Sequence, residues 1–311
     1  MSPELSRLGH VALEVPDLEA SLRFYRDSVG LEEVEREGDT AYLRAVEEFD
    51  HHSLRLRESG SAGVDHIGWQ TEDQQSIDGF AERLRDQGID VARVEAGEER
   101  GQGEAIRFQV PHGHEFEIYH EMEKPDPPKE RRSKLKNKSY ISAETSSIAP
   151  LRVDHVQIWD TDAFEAAEWM QETLGLSVME YYDQKDGSRW GTFLSASKNK
   201  IEAAVIQGES DDDCPGLHHI AFTSESAEDL FNAADTMNER GYPIDGLGQH
   251  SISRGKFLYV RDDSSGHRVE FNVRGYLVFD PNWEPIAWQE GDLDDRQWIG
   301  EIRGLDTVKY N

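Results

Sequence analysis

LGHVALEVPDLEASLRFYRDSVGL, residues 8–31, and VDHVQIWDTDAFEAAEWMQETLGL, residues 153–176, are two copies of one pattern. His10 falls on His155 and Gly30 on Gly175, both at an offset of 145. Each copy opens with alternating apolar and polar residues, as a half-buried strand does. Apolar residues at helical spacing follow, and the run stops at glycine, which tolerates the left-handed backbone of a helix end. Further along, VDHIGWQT (64–71) matches LHHIAFTS (217–224), and PHGHEFEIY (111–119) matches SSGHRVEFN (264–272). These pairs share an offset of 153, so His66 falls on His219 and Glu117 on Glu270. In each half the glutamate follows its histidine by 51 positions.

The intervening stretches complete the pattern. GDTAYLRA (38–45), HHSLRLRE (51–58) and VDHIGWQ (64–70) read as short strands in the first half. A second helix is expected at SIDGFAERLRDQG (76–88) and at AEDLFNAADTMNERG (227–241). Closing strands are expected at IRFQV and HEFEIY, and at KFLYV and HRVEFN. The expected fold is therefore α+β, built of tandem βαβββ modules, two to a domain. The expected domains are 1–122 and 151–278, joined by a linker at 123–150 and followed by a C-terminal segment, 279–311. KPDPPKERRSKLKNK (124–138) is proline-rich and then basic, as a solvated linker or strap would be.

Composition narrows the function classes. A chain of 311 residues suits two ordinary domains. A net charge of −30 repels phosphates, so nucleic-acid binding is not expected. No run of 18 apolar residues exists, and MSPELSRLGH lacks an apolar signal core, so a cytoplasmic protein without membrane contact is expected. The single cysteine, Cys214, precludes a disulfide framework. Lysine is scarce, 10 against 23 arginines, and the acidity runs along the whole chain. Such a surface suits a high-salt cytoplasm, where molar salt shortens the Debye length to about 3 Å and self-repulsion is tolerated.

Each half carries one trio: His10, His66 and Glu117, then His155, His219 and Glu270. Two imidazoles and one carboxylate occupy one face of an octahedral Fe(II), leaving the other face for a chelating substrate and O₂. The same set also suits Zn²⁺. A lone strand histidine usually serves packing; six residues in register across a repeat do not read that way.

With H-V near the start, L-H-H-I-A-F in the middle and G-H-R-V-E-F near the end, the module resembles the vicinal oxygen chelate superfamily. The two-domain layout resembles its type I extradiol catechol dioxygenases, nearest to the homoprotocatechuate 2,3- and catechol 2,3-dioxygenase groups. AYLRAVEEFDHHSLRLR (41–57) and QHSISRGKFLYV (249–260) extend the likeness over nearly the whole chain. The resemblance implies two domains, each a half-open mixed β-barrel. It implies Fe(II), with Mn(II) as an alternative, held by His155, His219 and Glu270, and O₂ as co-substrate of a small aromatic diol. It also implies a homo-oligomer, dimer or tetramer. His218 would lie behind the metal ligands, and His250 and Tyr259 would hydrogen-bond substrate and oxygenated intermediates. Arg296, in the C-terminal segment, would meet a substrate carboxylate.

Departures from the family pattern are informative. Where the family carries an acid–base histidine, the aligned segment KIEAAVI (200–206) offers Glu202. A carboxylate can shuttle protons when burial raises its pKa. Where the homoprotocatechuate enzymes carry an arginine for the substrate carboxylate, this chain has Asp245, which points to an uncharged ring substituent or an altered pocket. The first half keeps the ligand trio, with His52 aligned to Glu202, but has Arg100 and Gln109 against His250 and Tyr259. Its trio stays open as a second, degenerate metal set. Two alternatives to ring cleavage remain at this stage: a glyoxalase-like isomerase or hydrolase with Glu202 as fourth ligand, and a small-molecule-binding protein of the same fold.

Overall fold

The computed structural model describes residues 3–127, 129–132, 134, 148–208, 214–289, 291–292 and 297–299. In the first half, β1 (Leu5–Val15) leads into α1 (Leu18–Leu22), which widens into a π-helical turn over Arg23–Val29. Then come β2 (Glu32–Glu37), β3 (Thr40–Arg44) and β4 (Leu54–Glu58). The pattern repeats with β5 (Gly63–Thr71), α2 (Gln75–Asp86), β6 (Ala92–Val94), β7 (Ala105–Gln109) and β8 (Glu115–Tyr119). The second half begins with β9 (Arg152–Asp160), α3 (Ala163–Trp169) and a π-helical turn at Met170–Leu174, followed by β10 (Ser177–Asp183), β11 (Arg189–Ser195) and β12 (Ala203–Gln207). It continues with β13 (Gly216–Thr223), α4 (Ala227–Arg240), β14 (Ile244–Gln249), β15 (Gly255–Arg261) and β16 (Arg268–Arg274), and ends with β17 (Ile286–Gln289) and β18 (Trp298–Ile299). Each half is thus two βαβββ modules, as the repeat requires.

Local chemistry sets the helix ends. Asp17 caps α1 by accepting from Ala20 N at 2.8 Å, and Asp162 caps α3 by accepting from Glu165 N at 2.9 Å. Gly30 (φ 92) and Gly175 (φ 78) close the two π-helical turns in the left-handed conformation. β2 and β6 lie at the two edges of the first sheet, and much of each is solvent-exposed, so neither shows the alternation that marks a half-buried strand.

The strand orders are β2-β3-β4-β1-β5-β8-β7-β6 and β17-β10-β11-β12-β9-β13-β16-β15-β14-β18. In each sheet a central antiparallel pair, β1–β5 or β9–β13, is flanked by parallel partners. Both sheets are mixed and unclosed, hence half-open barrels. A continuous core runs through both halves, including Leu13, Phe24, Trp69 and Phe80 from the first and Ile158, Met170, Phe222 and Phe271 from the second. Each large side chain so buried contributes about 1.5–3 kcal/mol.

The halves dock reciprocally. Arg83 on α2 donates to Thr173 O at 2.7 Å, while Arg240 on α4 donates to Ser28 Oγ at 2.8 Å. Thr173 and Ser28 are equivalent by the 145 offset. No described helix is long and apolar enough to cross a membrane.

Candidate active site

Register alone brings three ligands to one face of the second sheet. Ala221 on β13 pairs with His155 on β9 and with Glu270 on β16. His219, two residues earlier on β13, shares the face of Ala221. The Nε2 atoms of His155 and His219 are 3.1 Å apart, and they lie 3.2 and 2.9 Å from Glu270 Oε2. A face of an octahedron with bonds of about 2.1–2.2 Å has edges of about 3.0–3.1 Å. The three donors therefore fit a six-coordinate cation with the opposite face free.

The ligands are braced from behind. Asp154 accepts from His155 Nδ1 at 2.9 Å and from Asn272 Nδ2 at 2.9 Å. Its other oxygen takes Thr223 Oγ1 at 3.1 Å and Lys200 Nζ at 3.2 Å. Burial alone would lower the pKa of His155, but Asp154 and Glu270 outweigh it and raise it to about 9. Burial dominates at His219, which falls to about 4. Glu270 is also penalised by burial, yet the imidazoles on either side hold it well below the usual carboxylate range. His218 Nδ1 faces His219 Nδ1 at 2.6 Å, and Arg268 donates to its other nitrogen. Burial, then His219 and Arg268, push His218 down to about 3.

This triad lines a cavity of about 830 Å³. Trp190, Phe193, Ile201 and Ile252 supply apolar wall. His250 stacks on Phe257 with centroids 4.0 Å apart, and its Nε2 lies 3.2 Å from Tyr259 Oη. Tyr259 sits across from Glu270 in the β15–β16 register. Burial raises its phenol well above the usual value, so it remains an O–H donor. His155, His219, Glu270, His218, His250 and Tyr259 all converge here.

Glu202 does not. Its Oε2 accepts from Ala196 N at 2.9 Å, Ser197 N at 2.7 Å and Ser195 Oγ at 3.3 Å, and Oε1 accepts from Leu8 N at 3.3 Å. It is buried against a separate cavity of about 480 Å³ between the halves. The expectation of a catalytic or metal-ligating Glu202 is corrected: it lies just before β12, and the backbone N–H groups of Ala196, Ser197 and Leu8 hold its carboxylate toward the other cavity. Lys200, Ile201, Ala204 and Ile206 are what this segment presents to the triad's cavity. Lys200, Asp154 and Arg268 were missed because none has a repeat partner of like chemistry. Arg296 lies outside the described residues, and Asp245 is exposed and not among the cavity-lining residues.

The first half gathers its own trio, His10, His66 and Glu117, with Glu99 beside them. His52 bonds Glu99 at 3.0 Å. Arg107, rather than Gln109, stands opposite Glu117 in the place of Tyr259. The sequence pairing slipped because the β6–β7 and β14–β15 loops differ in length.

The chain is similar to known proteins along nearly its whole length. Residues 64–123 match the profile of the catechol 2,3-dioxygenase-like N-terminal domain, and residues 152–271 that of the Glyoxalase/Bleomycin resistance protein/Dioxygenase superfamily. A manganese-dependent 2,3-dihydroxybiphenyl 1,2-dioxygenase of Geobacillus genomosp. 3 is 42% identical, covering 96% of this chain and 95% of the relative. A metapyrocatechase of Geobacillus stearothermophilus is 32% identical, covering 96% and 90%. Among solved structures, the 2,3-dioxygenase LapB from Pseudomonas sp. KL28 superposes with a TM-score of 0.83 at 30% identity, covering 93% of this chain and 99% of that one. Homoprotocatechuate 2,3-dioxygenase from Arthrobacter globiformis also gives 0.83, at 26% identity and 96% and 88% coverage. With near-full-length relatives of this kind, the chain belongs to the extradiol ring-cleaving dioxygenases of the vicinal oxygen chelate superfamily.

Proposed function

We propose that the chain cleaves a catechol bearing an uncharged, apolar ring substituent, giving a 2-hydroxymuconic semialdehyde-type product, with Fe(II) or Mn(II) held by His155, His219 and Glu270. The observation that carries this reading is the open facial arrangement of those three donors at the cavity. The metal, when bound, supplies Lewis acidity and a template for the two diol oxygens and O₂. The donor set suits either metal. The Geobacillus genomosp. 3 relative is named for manganese and for a biphenyl diol, which supports both Mn(II) and an aryl substituent. The apolar wall of Trp190, Phe193, Ile201 and Ile252 supports the uncharged substituent.

The chain's own groups do the rest. Tyr259 donates its hydroxyl proton toward anionic substrate oxygen, and His250, fixed by Phe257, shares that contact. His218 holds the rear nitrogen of His219. Lys200 places an ammonium on the cavity wall at the segment where the family carries its acid–base histidine, and it handles the proton there. β17 and β18 pair with β10 and β14, at opposite edges of the second sheet, and Gln297, beside β18, lines the cavity. Exposed Phe164, Phe231 and Phe279 support a homo-oligomer.

The glyoxalase-like alternative loses its fourth ligand with Glu202. The test is oxygen uptake by anaerobically Fe(II)- or Mn(II)-loaded protein given 2,3-dihydroxybiphenyl or 3,4-dihydroxyphenylacetate. A yellow product and equimolar O₂ uptake, with the uncharged diol preferred by kcat/KM, are expected. Preference for the carboxylate-bearing diol would overturn the substituent reading, and no uptake with any catechol would overturn ring cleavage.

A further inference from the structure

His10, His66, Glu99 and Glu117 form the other cluster of metal-ligating side chains among the described residues, and all four are buried. Three are the repeat counterparts of the catalytic ligands; Glu99 is not. It comes from residues 95–104, ten positions between β6 and β7, where the second half has only residues 250–254 between β14 and β15. The longer loop drops a carboxylate onto the side that the second half leaves open as its cavity.

The donor spacing differs accordingly. His10 Nε2 lies 2.9 Å from His66 Nε2, 3.4 Å from Glu99 Oε1 and 3.6 Å from Glu117 Oε1. His66 Nε2 lies 3.5 Å from Glu99 Oε2 and 3.7 Å from Glu117 Oε1. Glu99 thus turns one oxygen to each imidazole, and one donor atom from each of the four residues lies within 4.8 Å of the others, which lets all four close around a single ion.

The surroundings fit a ligand set. Arg107 Nε holds the outer oxygen of Glu117 at 2.6 Å, and Gln102 Nε2 steadies the inner one at 2.7 Å. Arg55 and Arg107 each reach Glu99 Oε2 at 2.9 Å. Arg55 is also paired with Asp65, and Arg57 with Glu14. Four carboxylates (Glu14, Asp65, Glu99 and Glu117) thus face three guanidiniums, leaving one negative charge.

We propose that the first half holds a second, structural divalent cation of the zinc class, closed off by His10, His66, Glu99 and Glu117. Four protein donors leave no position for substrate, which separates this site from the catalytic one. Being sealed, it takes its ion as the half folds, and ion binding stabilises the fold.

The test is metal analysis of the intact chain, refolded with Zn²⁺ and Mn²⁺ and freed of loose ions. Wild type should hold two ions per chain, and Glu270→Ala one. Glu99→Gln should also hold one, with a lower Tm in Zn²⁺ than wild type. A Glu270→Ala chain without any tightly held ion overturns the proposal and shows that Arg55 and Arg107 alone neutralise the cluster. If Glu99→Gln does not fold, the count on Glu270→Ala still decides. Because that count needs no turnover, its outcome is independent of the ring-cleavage reading.

Discussion

His114 and His267, equivalent by the 153 offset, tie the two halves together in opposite directions: His114 Nε2 bonds Trp159 O at 2.9 Å, and His267 Nε2 bonds Glu14 O at 3.0 Å. The Gly-His of each closing motif is thus a docking device of the tandem fold. Burial lowers both pKa values, opposed only in part by the carbonyls they meet. Both act as neutral donors.

A pH dependence follows. Unfolded histidines titrate near about 6.5 and these two lower, so the unfolded chain takes up more protons as pH falls below that value. Their contribution to stability is full above it and is lost on acidification. A His114→Gln/His267→Gln variant should have a lower Tm at pH 7.5 and a smaller further drop on going to pH 5.5. An equal drop in variant and wild type would place the proton uptake elsewhere.

Glu202 and Lys200 should differ in their effect on turnover. Glu202→Gln weakens charge-assisted bonds from buried backbone donors and should cost about 1–3 kcal/mol in urea unfolding, with kcat little changed. Lys200→Met should lower kcat about 10²-fold and, because Lys200 pairs with buried Asp154, also lower the unfolding midpoint, with Lys200→Arg restoring part of both. A collapse of kcat in a stable Glu202→Gln would return the proton-shuttle role to Glu202.

Asp154 orients His155 and has no counterpart in the first half, where Gly9 takes its place beneath the ring of Tyr119. Asp154→Asn should weaken metal binding at the catalytic triad about 10–100-fold, read by competition with a chelating dye. Unchanged affinity would show that the triad orients itself.

Tyr259→Phe keeps the ring and removes the donor. It should lower kcat by about 10–100-fold while bound metal per chain stays the same. Loss of metal would mean that the hydroxyl supports the ligands rather than the substrate.

The acidic surface should make the fold salt-requiring. Raising KCl from about 0.1 M to about 2 M compresses the Debye length from about 10 Å to a few ångströms and should raise Tm. A flat or falling Tm would show that the −30 charge is not a salt adaptation.

The repeat made the strand–helix order and both His-His-Glu sets legible, because alternation, glycine stops and constant spacing are local or periodic signals. Edge strands such as β2, with EEVERE half in solvent, gave no such signal. Side-chain direction in the stretch between β11 and β12 was not legible either: Lys200 and Glu202 have the same parity and lie outside both strands, so no periodic pattern in KIEAAVI says which faces substrate; the backbone N–H groups that capture Glu202 decide it. The sequence by itself determined that two copies of one His-His-Glu scaffold exist. Only the tertiary structure decided that they differ in kind. The 250–254 loop leaves the second trio lining a cavity, whereas the longer 95–104 loop brings Glu99 beside the first. Such contacts join residues with no periodic relation along the chain, so they exist only once the sheets have formed.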